Sequence, residues 1–251
     1  MSWPACLTIV IAVTISFVIY FSDNNICFTY RKMPPLYHPL DAGVCVIFGI
    51  YFLVLSIGTW SENCSLERSD VQKGGIFYLL LDIIILSLLC VRNISPVQAF
   101  GVQKLHISQL IRVSMLGLAT LYPLIFSVQI VSEKLQGIHS NQPLVQFLMQ
   151  NTSCSDRTTV TLLAVVIAPL SEELIFRGYL YGVLRQYIGV LGSTLVTSTL
   201  FAGIHQYIAI FPGLFLLAVG LSCFYERTGC LLVPILMHSL FNFVGIMAII
   251  C

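Results

Sequence analysis

The chain has 251 residues, 57% of them hydrophobic and 9% charged, with a formal net charge of +1 and a mean hydropathy of +0.92. A soluble domain is about 25% charged, so these figures exclude an ordinary soluble domain. The near-zero charge also excludes a basic footprint for nucleic acid. The expected class is all-α: a multi-pass integral membrane protein with about eight transmembrane helices, since each crossing needs about 20 apolar residues.

The first apolar run, Ala5 to Phe21, has no basic residue before it and no small-residue cleavage pattern after it. It is expected to be a retained membrane helix rather than a cleaved signal peptide. A linker with Arg31, Lys32 and Pro34-Pro35 leads to a second span, Ala42 to Trp60. The polar stretch Ser61 to Gly75 is expected to be a loop, and Ile76 to Val91 a third span with Asp82 inside it. Asn93 to Ile111 has the mixed character of a helix lying along the interface. Val113 to Val131 is a fourth span, interrupted by Pro123. Ser132 to Arg157 is the longest polar stretch, within which Leu144 to Met149 can dip into the interface.

The fifth span begins at Thr158 and runs through Glu172 and Glu173 towards Gln186. Val190 to Tyr207, Phe211 to Tyr225 and Cys230 to Ile250 follow, joined at Gly189 and at Pro212-Gly213. Residues 1–157 are then a set of amino-terminal membrane helices, and residues 158–251 the part that carries chemistry. Lys and Arg accumulate on cytoplasmic linkers. Arg31, Lys32, Arg92, Lys104, Arg112, Arg185 and Arg227 share one side, against Arg68, Lys73, Lys134 and Arg157 on the other. That balance places both termini outside the cytoplasm. The nine cysteines contain no CxxC pair, so neither a thiolate zinc site nor a disulfide framework is indicated. Cys27, Cys64 and Cys154 fall in loops where pairing is open.

The stretch Pro169-Leu170-Ser171-Glu172-Glu173-Leu174-Ile175-Phe176-Arg177-Gly178 stands apart. Ionisable groups at membrane depth are costly and mark functional sites by default. On a helix Glu173 and Arg177 are i and i+4 and can pair. Glu172 points about 100° away and is expected to lack that partner. His205 follows in the next span, and His238 and Asn242 share one face of the last helix at i and i+4. Each has a bland reading: a packed histidine, interhelical glue at His238 and Asn242, a structural Glu173–Arg177 pair, a solitary Asp82. His38, His106 and His139 read as solvated loop residues. Together, a carboxylate, two imidazoles and a carboxamide are the parts of a hydrolytic site, with Glu172 able to take a proton from water and the others able to hold an oxyanion. No His-Glu-x-x-His zinc helix, second membrane aspartate or Gly-x-Ser-x-Gly elbow is present.

Glu172-Glu173-x-x-x-Arg177, Phe201-x-x-x-His205 and His238-x-x-x-Asn242 resemble the three motifs of the type II CAAX prenyl endopeptidases. The wider group is the CPBP intramembrane proteases, which includes bacteriocin-processing and lysostaphin-resistance-like members. The resemblance covers about Val160 to Val244. It implies an all-helical membrane endopeptidase with a polar intramembrane cavity and a peptide or protein substrate, prenylated or membrane-tethered in some members. It implies that Glu172 and His205 activate water, that His238 and Asn242 stabilise the oxyanion, and that Glu173, Arg177 and Phe201 support them. No metal cofactor is expected; zinc held by Glu172, His205 and His238 is the alternative. The membrane would be the plasma or inner membrane in a bacterium and the endoplasmic reticulum in a eukaryote. Two other classes remain: a non-proteolytic scaffold or bacteriocin-immunity factor of the same fold, and a proton or ion carrier, against which the lack of an internal repeat counts.

Overall fold

The computed structural model describes residues 37–57, 68–102, 105–136, 143–150 and 153–250. Among them all regular structure is helical. The elements are α1 (Pro39–Ile57), α2 (Arg68–Val91), a single turn α3 (Pro96–Ala99), α4 (Ile107–Gln136), α5 (Pro143–Gln150) and α6 (Cys154–Leu162). A wide-turn stretch, Leu163–Ile167, leads into α7 (Ala168–Glu173), and a second, Leu174–Leu180, leads out of it. The chain ends with α8 (Tyr181–Gly203), α9 (Phe211–Thr228) and α10 (Leu232–Ile250).

Four helical stretches are long and apolar enough to cross a membrane: Arg68–Val91, Ile107–Gln136, Cys154–Gly203 and Leu232–Ile249. Pro39–Leu55 is a shorter apolar helix. The chain is an integral membrane protein. The expected span Ala5 to Phe21 lies outside the described residues, as do Cys27, Cys64 and His139. Cys154–Gly203 is 50 residues long, about 75 Å at 1.5 Å per residue, over twice a hydrocarbon core of about 30 Å. It is divided at Gly189, whose φ of +69° and ψ of −176° are not helical. Only glycine adopts that conformation without steric cost, so the joint falls where the sequence placed it.

Three expectations need correction. The expected loop Ser61 to Gly75 is helical from Arg68 onward, because Asp70 lies in the first turn of α2 and Arg68 pairs with Asp156 of α6 at 3.3 Å. Asn93 to Ile111 does not form one interfacial helix. Asn93 and Gly101 have φ of +54° and +63°, and they turn the chain inward. Phe100 is buried there, its carbonyl accepting the Leu231 N–H at 2.9 Å. Pro123 does not interrupt the fourth span, since α4 continues through it. The Ser127 hydroxyl donates to the Pro123 carbonyl at 2.7 Å and that of Thr120 to Leu116 at 2.8 Å. The missing N–H of Pro123 leaves the Ala119 carbonyl without its helical donor, which membrane helices tolerate.

Helix α5 covers the expected Leu144 to Met149 segment. It buries Phe147 and Leu148 against Val71, Val160, Ala164 and Ile246, so it is seated on protein. The outer helices turn their apolar faces outward. Val46, Ile47 and Ile50 of α1 and Ile76, Leu80 and Ile83 of α2 are exposed. From Ser171 to Val183 every residue is buried. Burial thus follows position in the bundle and not hydropathy, which is the pattern for a chain solvated by lipid. His38 and His106 are exposed, as expected. No disulfide links the cysteines among the described residues.

Candidate active site

Helix α7 is framed by backbone carbonyls that the helix itself does not use. The Ala168 N–H reaches back five residues to Leu163, as in a π-helix. In that register the next bond would run from residue 169 to the Ala164 carbonyl, but Pro169 has no N–H. The Asn242 amide fills the gap, its Nδ2 donating to the Ala164 carbonyl at 2.8 Å. On the far side, the Tyr181 N–H reaches back five residues to Phe176, and the Tyr37 hydroxyl donates to the Gly178 carbonyl at 2.8 Å. Gly178 also admits Phe100, whose ring would lie 2.9 Å from a Cβ at that position. Two wide turns thus set the rotation of the glutamates between α2 and α10.

Glu173 and Arg177 form the expected pair, Nη1 to Oε1 at 2.7 Å, and both are fully buried. The guanidinium also donates to the Ala218 carbonyl at 3.0 Å and to Ser222 at 3.5 Å, and lies 4.8 Å from the Phe201 ring centroid. Glu173 Oε1 has a second donor, His238 Nδ1 at 2.9 Å, while Oε2 is buried with no partner among the described residues. A carboxylate only accepts, so the His238 Nδ1 carries hydrogen. The other nitrogen, Nε2, faces Glu172 Oε2 at 3.8 Å. That is too long for a hydrogen bond, and a water can bridge it.

Glu172 takes no hydrogen bond from Arg177 among the described residues, as expected, but it has a different partner. Tyr78 of α2 donates its hydroxyl to Glu172 Oε1 at 2.5 Å. Asp82, one turn further along α2, is not solitary either: its Oδ2 accepts from Ser171 at 2.6 Å. Tyr78 has no signature in sequence beyond being a tyrosine four residues before a membrane aspartate. That i, i+4 spacing was the available signal.

His205 lies just past the end of α8, in a turn and not within a helix. Its Nδ1 meets the Phe201 carbonyl at 2.8 Å. A carbonyl only accepts, so Nδ1 is the donor and Nε2 is left for other work. The turn is held by Gln206, which has φ of +58° and whose Nε2 donates to the Leu55 carbonyl at 2.6 Å. The Phe201 ring separates the two histidines, 5.0 Å from His205 and 5.6 Å from His238 by centroids. His205 makes no hydrogen bond or ion pair with Glu172 among the described residues.

The structure therefore brings together Glu172, Glu173, Arg177, Phe201 and His238, with Asn242 one turn beyond on α10 and His205 behind Phe201. As a metal set the fit is poor. Glu172 and His238 face each other, but among the described residues no three His, Cys, Asp or Glu side chains converge. A cavity of about 290 Å³ near the end of α8, bounded by Leu53, Ala202, Tyr207 and Phe211, is almost wholly apolar. It is not the polar cavity that the resemblance implies.

Residues 155–244 match the model of the family described as type II CAAX prenyl endopeptidase Rce1-like. All the motif residues lie within that range, and the family they resemble is the family matched. An Escherichia coli protein described as an uncharacterized 24.3 kDa protein is 33% identical over 102 residues. That stretch is 39% of this chain and 47% of the relative, so the chain spans about half the length of the curated relative it matches. No solved structure matches the chain.

Proposed function

We propose that the chain is an intramembrane endopeptidase in which Glu172 activates water to hydrolyse a peptide bond near the membrane surface. The observation that carries this is the 3.8 Å gap between Glu172 Oε2 and His238 Nε2, both buried, beside a neighbouring carboxylate already paired with Arg177. A water in that gap loses a proton to Glu172 Oε2. Its oxygen bonds to the peptide carbonyl carbon, and the carbonyl electron pair moves onto oxygen. Asn242 has a second amide hydrogen beyond the one given to Ala164, and it serves the oxyanion. His238 gives its Nδ1 hydrogen to Glu173, so donation from Nε2 as well requires the imidazolium. Its charge then balances the second glutamate: two carboxylates face one guanidinium and one imidazolium. On collapse the C–N bond breaks and the proton held by Glu172 passes to the amine. His205 offers Nε2 as a relay for the water from behind Phe201.

No step runs through a metal. The substrate is a peptide or protein tethered to or approaching the bilayer, with a prenylated carboxyl-terminal peptide as the first class to try. Eight crossings, the count expected from the sequence, is the number we adopt, with Gly189 dividing the stretch Cys154–Gly203 in two. The test is cleavage of prenylated and unprenylated peptide libraries by protein reconstituted in bilayers, read by mass spectrometry against Glu172→Gln. Cleavage by the wild type alone is expected, and it should survive dialysis against a chelator. Cleavage that persists in Glu172→Gln rejects the mechanism. A wild type that cleaves nothing favours the scaffold reading.

A further inference from the structure

The two oxygens of a carboxylate are equivalent until something distinguishes them, and the terminal torsion of glutamate is broad. At Glu172 they are distinguished. Oε1 receives the Tyr78 hydroxyl at 2.5 Å, and Oε2 is left facing His238 Nε2 across 3.8 Å. Tyr78 lies on α2, outside the family-matched residues 155–244. The register of α2 against α7 is pinned a second time one turn away. Asp82 holds the Ser171 hydroxyl at 2.6 Å, on the residue that precedes Glu172. Two polar contacts at i and i+4 on a helix whose other buried residues are apolar therefore converge on two successive residues of α7. One contact would fix distance alone; two fix the rotation of α2 and so the direction of the phenol.

We infer that Tyr78 is a positioning residue for Glu172: its phenol occupies Oε1 and so presents Oε2 as the atom that takes the proton from water. This rests on the hydrolytic reading above. No atom of Tyr78 is consumed or transferred. The phenol keeps its hydrogen while the proton from water goes to Oε2. Without it, Glu172 rotates and its basic atom spends less time toward His238. Substrate binding should be unaffected, because among the described residues the hydrogen bond of the Tyr78 hydroxyl goes to the Glu172 carboxylate.

The experiment uses the full chain in bilayers, with Tyr78→Phe keeping the ring and removing the hydroxyl. A hydrogen bond to a charged group corresponds to a rate factor of about ten- to a hundredfold, so kcat should fall by that factor with KM unchanged. Tyr37→Phe is the control. It removes a phenol hydrogen bond to the same inner helix, at the Gly178 carbonyl 2.8 Å away, but not to Glu172. It should lower thermal stability and leave kcat per folded molecule as it was. If Tyr78→Phe behaves like Tyr37→Phe, Tyr78 is structural and the inference is overturned. A second readout needs no substrate. Infrared difference spectra of wild type and Glu172→Gln identify the Glu172 carboxylate band, which should move in Tyr78→Phe and stay in Tyr37→Phe. A band that does not move overturns the inference even if no substrate is found. Cleavage lost in Glu172→Gln but intact in Tyr78→Phe removes Tyr78 alone. Cleavage that survives Glu172→Gln removes the hydrolytic reading and the positioning role with it.

Discussion

Glu172 and Glu173 are adjacent in sequence and both buried, yet their surroundings differ in kind. On the Glu173 side one oxygen holds a guanidinium and an imidazole, and the guanidinium continues to Ala218, Ser222 and the Phe201 face. That side joins α7 to α8, α9 and α10 and has little left to offer a substrate. On the Glu172 side one oxygen meets a neutral phenol and the other faces a gap. The difference teaches how two adjacent buried carboxylates can be held in different ways. The charge of Glu173 is matched by a guanidinium in hydrogen-bond contact, while among the described residues Glu172 is hydrogen-bonded by a neutral phenol at one oxygen and keeps the other open. Breaking a buried ion pair costs several kcal/mol, and removing the Glu172 carboxylate leaves the Glu173–Arg177 pair in place.

The largest expected effect sharpens that contrast. Glu172→Gln should lower kcat by about 10²–10⁴-fold, the usual worth of general-base catalysis, while the thermal unfolding midpoint stays near that of the wild type. A large loss of stability in this variant would mean that the Glu172 side is structural too.

Arg177→Ala should do the reverse. It strands Glu173 in a fully buried site, and breaking such a pair costs about 3–5 kcal/mol, so expression and thermal stability should fall together with activity. A fully stable, inactive Arg177→Ala would place the guanidinium against substrate.

Asn242→Ala probes the border between the two sides. The loss of one oxyanion donor is worth roughly 10²–10³ in kcat, and the Ala164 carbonyl loses its partner in the same step. Both kcat and stability should drop, with KM little changed. A drop in stability alone would leave Asn242 as interhelical glue.

The smallest effect is expected far from both glutamates. The Arg68–Asp156 pair has an arginine side chain 54% exposed, and exposed ion pairs are worth about 0–1 kcal/mol. Asp156→Asn should therefore be near neutral in both stability and kcat. A clear loss of kcat would mean that the α2–α6 contact sets the position of α2, and through it Tyr78.

Much of this was legible in the sequence, for reasons tied to particular residues. Two glutamates at the end of an uncharged run could not be lipid-facing, and the four-residue spacing to Arg177 made a pair on any helix, because i and i+4 are neighbours whatever surrounds them. Gly189 marked a joint because few other residues tolerate its backbone. The same local logic placed His238 and Asn242 on one face of α10. It also located the family-matched region.

What only the tertiary structure decided involves contacts between distant segments. Beyond the i, i+4 spacing of Tyr78 and Asp82 on one helix, sequence carries no information on which helix stands beside Glu172, so the contact with Tyr78, 94 residues away, was not assigned. The orphan carbonyl of Ala164 follows from Pro169 and the wide turn before it, but its partner Asn242 lies 78 residues on. The end of α8 before His205 was missed because two polar residues, His205 and Gln206, lie within an otherwise apolar stretch, whereas Gln206 turns the backbone by bonding Leu55, 151 residues earlier. Hydrophobic runs and i, i+4 spacing are properties of one helix and are written in it. The partner of a buried polar group is chosen by how helices pack, and in lipid that packing is set by polar contacts and shape, because every outer face is equally apolar.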